Sequence, residues 1–292
     1  MRAKDVLQRL EQVIGITGSP RRLRGAIETE LRDHFGLPPI QAVERAEQME
    51  DVVRQLILRS RTKSDEEGSY SILSLSSVSD QIVSGTCYIE GGDKQEIIAA
   101  KQRRLHIEPL LDQIRNLTFQ QFEIFGACVL KELGTKNTKV TPHSDDQGID
   151  FYGLLSLGQH SDLPPPFGKL AHDVTLRFAG QAKHYPSKPI GPELIRELIG
   201  SIALARYKVF TTDNELFDDL QLLPFNPLVA MFFTTGRFSS GALELAKKAG
   251  IIARNGEQLA VFLADRGVGI EEVNGVMQFS SQKFFDWLNA TQ

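Results

Sequence analysis

Val174-Thr-Leu-Arg-Phe-Ala-Gly-Gln-Ala-Lys183 alternates with the two-residue period of a β-strand, so Val174, Leu176, Phe178, Gly180 and Ala182 share one face. Thr175, Arg177, Ala179, Gln181 and Lys183 share the other. Downstream, Leu228-Val-Ala-Met-Phe-Phe233 is apolar without alternation, as a strand covered on both faces should be. Pro192 opens a helix between them, with Leu194, Ile195, Leu198, Ile199 and Ile202 on its buried side. Ser239 or Ser240 caps another that runs to Lys248 and Gly250. Upstream, Thr118-Phe-Gln-Gln121 has the form of a capping box ahead of an amphipathic helix carrying Phe119, Phe122, Val129, Leu130 and Leu133, which Gly134 ends. Lys139-Val-Thr141 and Ile149–Leu155 are strand candidates. Strand and helix alternate, which predicts an α/β domain with a central sheet flanked by helices.

The amino-terminal part has a different rhythm. Residues 2–14, 20–35 and 41–61 read as helices, Ser64-Asp-Glu-Glu-Gly-Ser69 breaks the pattern, and Tyr70–Leu75 with Gln81–Ile89 form a serine-rich hairpin. Gly91-Gly-Asp93 precedes a further helix at about 94–114. This order is compatible with a winged-helix-like DNA reader, and equally with any small α+β module. The expected division is a mainly helical α+β module at 1–114, for DNA recognition or assembly, and an α/β domain at 115–292 with a C-terminal helical tail.

Composition narrows the classes. The chain has 292 residues, 41% hydrophobic and 24% charged, which is ordinary for a soluble globular protein. Cys87 and Cys128 lack metal-ligand spacing and build no disulfide framework, which suits a reducing cytoplasm. No apolar stretch is long enough for a signal core or membrane span, so a cytoplasmic protein without membrane contact is expected. A net charge of −4 argues against coating nucleic acid through bulk electrostatics but leaves room for a local basic groove. The six histidines show no zinc spacing, and neither a Ser-His-Asp order nor a Walker-type loop is visible.

The chemistry concentrates at the end of the 174–183 strand. A segment ending in Gly148-Ile149-Asp150 can deliver a carboxylate beside the Gln181 amide oxygen and the Lys183 ammonium. Such a group suits hydrolysis of a phosphodiester. Asp150 would bind Mg²⁺, an oxygen-seeking ion, and Lys183 would serve the attacking water and offset charge on the phosphoryl oxygens. Glutamine offers only a neutral carbonyl, so another acid is expected; Glu123 is the first candidate, Asp145 and Asp146 the second. Thr235-Gly236-Arg237, between a buried strand and a helix start, suits a phosphate contact or a plain turn. Arg21, Arg22 and Arg24 form a basic cluster able to hold a DNA backbone. Tyr185 and His184 either touch substrate or cap the sheet.

The Gly-Ile-Asp150, Gln181-Ala-Lys183-His-Tyr185, Thr234-Thr-Gly-Arg-Phe-Ser239, Ala249-Gly-Ile251 and Gly267-Val-Gly269 stretches, in this order, resemble the Mrr-like branch of the restriction-endonuclease (PD-(D/E)xK) superfamily over roughly 117–270. The resemblance implies a restriction-endonuclease-like central mixed sheet flanked by helices. It also implies a Mg²⁺-dependent DNA endonuclease, with Mn²⁺ able to substitute, acting in restriction of foreign or modified DNA. Glutamine commonly stands in this branch where others have Glu or Asp. Two stretches depart from the pattern: Leu163-Pro-Pro-Pro-Phe167 and about Tyr207–Asn226. Two cuts for a double-strand break suit a homodimer or larger assembly. Other readings of the same residues are a nuclease-like DNA-binding protein without cleavage and a repair or junction-processing nuclease.

Overall fold

The computed structural model describes residues 1–141, 148–159, 171, 173–207, 220, 222 and 225–290. Asp145, Asp146, the 163–167 stretch and most of 207–226 lie outside them. The chain forms two compact units: Met1–Glu108 with Glu272–Gln278, and Pro109–Glu271 with Phe279–Gln292.

In the first unit, α1 (Ala3–Ile14), β1 (Arg21–Arg22), α2 (Leu23–Asp33) and α3 (Pro39–Glu67) precede β2 (Leu73–Leu75) and β3 (Ile82–Gly85). The small sheet runs β1-β3-β2, all antiparallel. Val6, Leu10, Ile27, Leu31, Ala46, Val53 and Val83 meet in its core. α3 continues past the break expected at Ser64: Ser64 is buried, Lys63 pairs with Glu67 one turn on, and the helix stops only at Gly68, whose φ of 71° closes it. The helix expected over 94–114 is two, α4 (Gln95–Arg104) and α5 (Ile107–Arg115). The cause is Pro109. In a continuous helix its ring would strike the Leu105 carbonyl and it would offer no N–H, so the chain turns at 105–106.

In the second unit the capping box forms as its spacing predicts. Gln121 N donates to Thr118 Oγ1 at 3.2 Å and Thr118 N to Gln121 Oε1 at 2.9 Å, opening α6 (Phe119–Glu132). Among the described residues one sheet has five strands, in the order β4 (Lys136–Val140), β5 (Phe151–Ser156), β6 (Thr175–Lys183), β7 (Leu228–Thr234) and β8 (Ile252–Arg254). β5 runs antiparallel to both β4 and β6, whereas β6, β7 and β8 are parallel. The result is a mixed central sheet flanked by helices, the expected class. α7 (Pro192–Tyr207) and α8 (Ser240–Ala249) pack on one face, through Ile195, Leu198, Phe232, Ala242 and Ala246. α6 covers the other.

That second contact depends on two glycines. Phe151 pairs across the ladder with Gly180, and a Cβ on Gly180 would come within 2.3 Å of its ring. A Cβ on Gly126 of α6 would come within 2.4 Å of the same ring. Two expected core residues are exposed instead: Phe119 at 58% and Ile199 at 38%. Both fall at the margin of their helix's apolar stripe. β4 is a border strand; its register shifts between Lys136 and Lys139, with Asn137 at a φ of 51°. α9 (Gly256–Arg266), the β9 (Ile270–Val273) and β10 (Val276–Phe279) hairpin, and α10 (Ser281–Asn289) complete the chain. No helix among the described residues is long and apolar enough to cross a membrane.

Candidate active site

The antiparallel ladder of β5 and β6 brings the first two candidates together. Phe151 pairs with Gly180, and one step on, Asp150 N donates to Gly180 O at 2.9 Å while Asp150 O accepts from Thr141 N at 2.9 Å. Asp150 therefore adjoins the end of the ladder, at the stretch of β6 that carries Gln181. Asp150 Oδ2 accepts the Ala182 N–H at 2.7 Å, which orients the carboxylate. Asp150 is 1% exposed and Gln181 fully buried. Gln181, next to Gly180 in the strand, points to the face opposite the Phe151 ring. Lys183, two residues along the same face, is half-buried at the strand's end.

Gly148 closes the approach to this pair. Its φ is 84°, and a Cβ there would lie 2.4 Å from Ser201 Oγ on α7 and 3.7 Å from Gln181 Nε2. Only a residue without a side chain fits comfortably.

Neither Gln181 Oε1 nor Nε2 has a hydrogen-bond partner among the described residues; the Oγ1 atoms of Thr141 and Thr235, both buried, also lack one. A buried polar group left unsatisfied costs about 1–3 kcal/mol. The amide oxygen beside a carboxylate is a pair of hard oxygen donors, which fits Mg²⁺, an ion that keeps several waters and takes one or two carboxylates. No group of three or more His, Cys, Asp and Glu side chains able to hold a metal occurs among the described residues. The Asp150 carboxylate and Gln181 carbonyl by themselves suit an ion that stays largely hydrated.

The Lys183 ammonium has no hydrogen bond or salt bridge among the described residues, so it is not committed to a carboxylate there. The next residue, His184, donates from Nε2 to Arg115 O at 3.0 Å and meets Phe119 and Phe122 edge-on, with centroids at 5.4 and 6.0 Å. The start of α6 is thereby fixed at the end of β6. Glu123 follows Phe122 on this turn, half-buried, on the helix that covers the Phe151 face. It belongs to the same end of the sheet as Lys183.

The Thr234–Ser239 turn borders the site through the parallel pairing of Lys183 with Thr234. A Cβ on Gly236 would stand 2.1 Å from Tyr185 O, so this close approach needs glycine. Thr235 is 1% exposed and Arg237 is exposed. Ser239 Oγ accepts from Ala242 N at 3.2 Å and caps α8. Of the amino-terminal arginines, all in the first unit, Arg21 and Arg22 are exposed on β1, whereas Arg24 is held by Glu50 at 2.8 Å and Glu47 at 3.2 Å. Thr141 and Ser201 escaped sequence reasoning. Both are ordinary polar residues whose place follows from long-range pairing, and no local signal marks them.

Residues 114–219 match the family model Mrr_cat, described as restriction endonuclease. No curated protein matches the chain. Among solved structures, similarity is found to the MspJI restriction endonuclease in complex with a 27-mer oligonucleotide, at 16% identity and a TM-score of 0.38, covering 70% of this chain and 39% of that one. The DNA modification-dependent restriction endonuclease AspBHI is similar at 17% identity and a TM-score of 0.39, covering 65% and 39%. The chain thus spans 39% of the length of each of these two. The stretch 114–219, in which Asp150, Gln181 and Lys183 fall, is thus similar to a restriction-endonuclease domain.

Proposed function

We propose that the chain is a Mg²⁺-dependent endonuclease that hydrolyses DNA phosphodiester bonds, in restriction of foreign or modified DNA. The observation that carries this reading is the buried Gln181 amide, without a partner among the described residues, next to Ala182, whose N–H holds the Asp150 carboxylate, with Lys183 at the end of the same strand. Asp150 and the Gln181 carbonyl would hold the ion, Glu123 would complete the set from the start of α6, and Mn²⁺ can substitute. Bound there, the ion would lower the pKa of a water and offset negative charge on the phosphoryl oxygens.

The chain's own groups supply the rest. The Ala182 N–H fixes the direction of the Asp150 carboxylate. The Lys183 ammonium donates to a phosphoryl oxygen or to the attacking water, where its charge grows in value as the transition state accumulates negative charge. Water oxygen bonds to phosphorus, the bond to the leaving oxygen breaks, and the products are a phosphate monoester and a hydroxyl. Gly236, Arg237 and Tyr185 would contact the DNA backbone beside the scissile bond, on the turn that the buried Thr235 helps to build. Residues 1–114, with Arg21, Arg22 and Arg24, would select or position DNA, and a homodimer would supply the second cut.

Two features favour a second reading, a DNA-binding protein without cleavage: the neutral Gln181 in place of an acid, and the net charge of −4. Plasmid nicking with Mg²⁺ or Mn²⁺ separates the two. The parent should nick and Lys183→Ala should lose about 10²–10³-fold in rate while still binding DNA. No cutting by either protein, with binding intact, rejects hydrolysis. Comparing linear, branched and methylated substrates separates restriction from repair or junction processing.

A further inference from the structure

The segment between β6 and α7, His184-Tyr-Pro-Ser-Lys-Pro-Ile190, is not a slack connection. Tyr185 N donates to Lys183 O at 3.0 Å, and Pro186 and Pro189 fix two φ angles. Its far end is tied to the Thr234–Ser239 turn: Ile190 N donates to Arg237 O at 2.9 Å, and Ser239 N to Ile190 O at 2.9 Å. Its near end touches the same turn where Tyr185 O packs against Gly236. The two loops are therefore one clamped unit. Each presents an exposed cation, Lys188 and Arg237, and neither has a salt bridge among the described residues. The Lys188 Nζ lies 5.8 Å from the Tyr185 ring centroid, a cation–π approach that restrains a long side chain. The nearby acid, Glu193, sits against Gly191 and is not paired with Lys188.

We propose that Lys188 and Arg237, presented on these two clamped loops, each grip a non-scissile phosphate of DNA and form a second anchoring point beside Asp150, Gln181 and Lys183. The inference rests on the nuclease reading, because it takes DNA as the ligand. Surface cations on mobile loops lose rotamer freedom on binding; a clamped pair has surrendered part of it beforehand. Placed off the reacting bond, the pair acts on binding and register and leaves the chemical step to Lys183.

The test uses the full chain carrying Asp150→Asn, which keeps an acceptor for Ala182 N–H. The affinity for a fluorescein-labelled DNA duplex is measured as a function of salt. One phosphate contact contributes about 0.9 to the slope of log affinity against log salt. Lys188→Ala should lower the slope by about that amount, with a roughly five- to tenfold loss of affinity at about 0.1 M salt. Lys188→Arg should retain it, and adding Arg237→Ala to Lys188→Ala should lower it by about twice as much. Lys248→Ala, at a lysine paired with Glu244, should leave it unchanged. An unchanged slope for Lys188→Ala with parental circular dichroism overturns the proposal, as does an equal drop for Lys248→Ala. If the parent still nicks plasmid in either case, the nuclease reading stands; if the chain neither binds nor cuts DNA, both fall.

Discussion

Gln181 is costly where it stands: fully buried, with neither end of its amide bonded to another described residue. Removing the polar atoms removes that cost, so Gln181→Leu should raise metal-free stability by about 1–3 kcal/mol and abolish Mg²⁺ binding. Chemical denaturation and calorimetric titration check the two halves. Opposite movement of stability and affinity marks a ligand; joint loss marks a structural residue. Gln181→Glu should tighten Mg²⁺ binding roughly tenfold, about 1.4 kcal/mol, because a carboxylate replaces a neutral carbonyl. If the amide is not a ligand, the new charge only destabilises the fold. The shared face of Gln181 and Lys183 was legible from alternation alone. The roles of Gly148 and Ser201 were not: the hydroxyl that excludes a Cβ at Gly148 is delivered by a helix beyond a stretch of sequence with no pattern linking the two.

Elements were legible where the signal is local. Thr118 and Gln121 announce the start of α6, and Thr118→Ala should cost about 1 kcal/mol, measurable as a lowered denaturation midpoint. Pro109 was equally legible and equally local, yet apolar periodicity across 94–114 hides it, because a helical pattern continues through a turn that sterics forbid. Pairing was not legible. Phe151, Gly180 and Gly126 interlock across two strands and a helix, and nothing near any of them predicts the other two. Gly180→Ala and Gly126→Ala should each destabilise by about 1–3 kcal/mol through overpacking. Either change combined with Phe151→Leu should recover part of the loss, and a thermodynamic cycle over the three positions measures it.

At the scale of the molecule, the sequence suggests two units but gives no hint that Glu272–Gln278 returns to the first. Within that unit the His106 ring bonds the Met277 carbonyl at 2.9 Å. A chain cut to residues 109–292 leaves this segment without the groups it clusters with, so amide hydrogen exchange at 272–278 should be faster in the fragment than in the full chain. Equal protection in both overturns the expectation. The bulged border strand β4 has a consequence for the protein in concentrated solution. A flat, unpaired edge is a template on which a neighbouring molecule's backbone can zip, whereas a kink at Asn137 flanked by Lys136 and Lys139 spoils the template and charges it. Deleting Asn137 and replacing Lys139 by valine would straighten and neutralise that border, and light scattering should then rise with concentration as copies stack edge to edge.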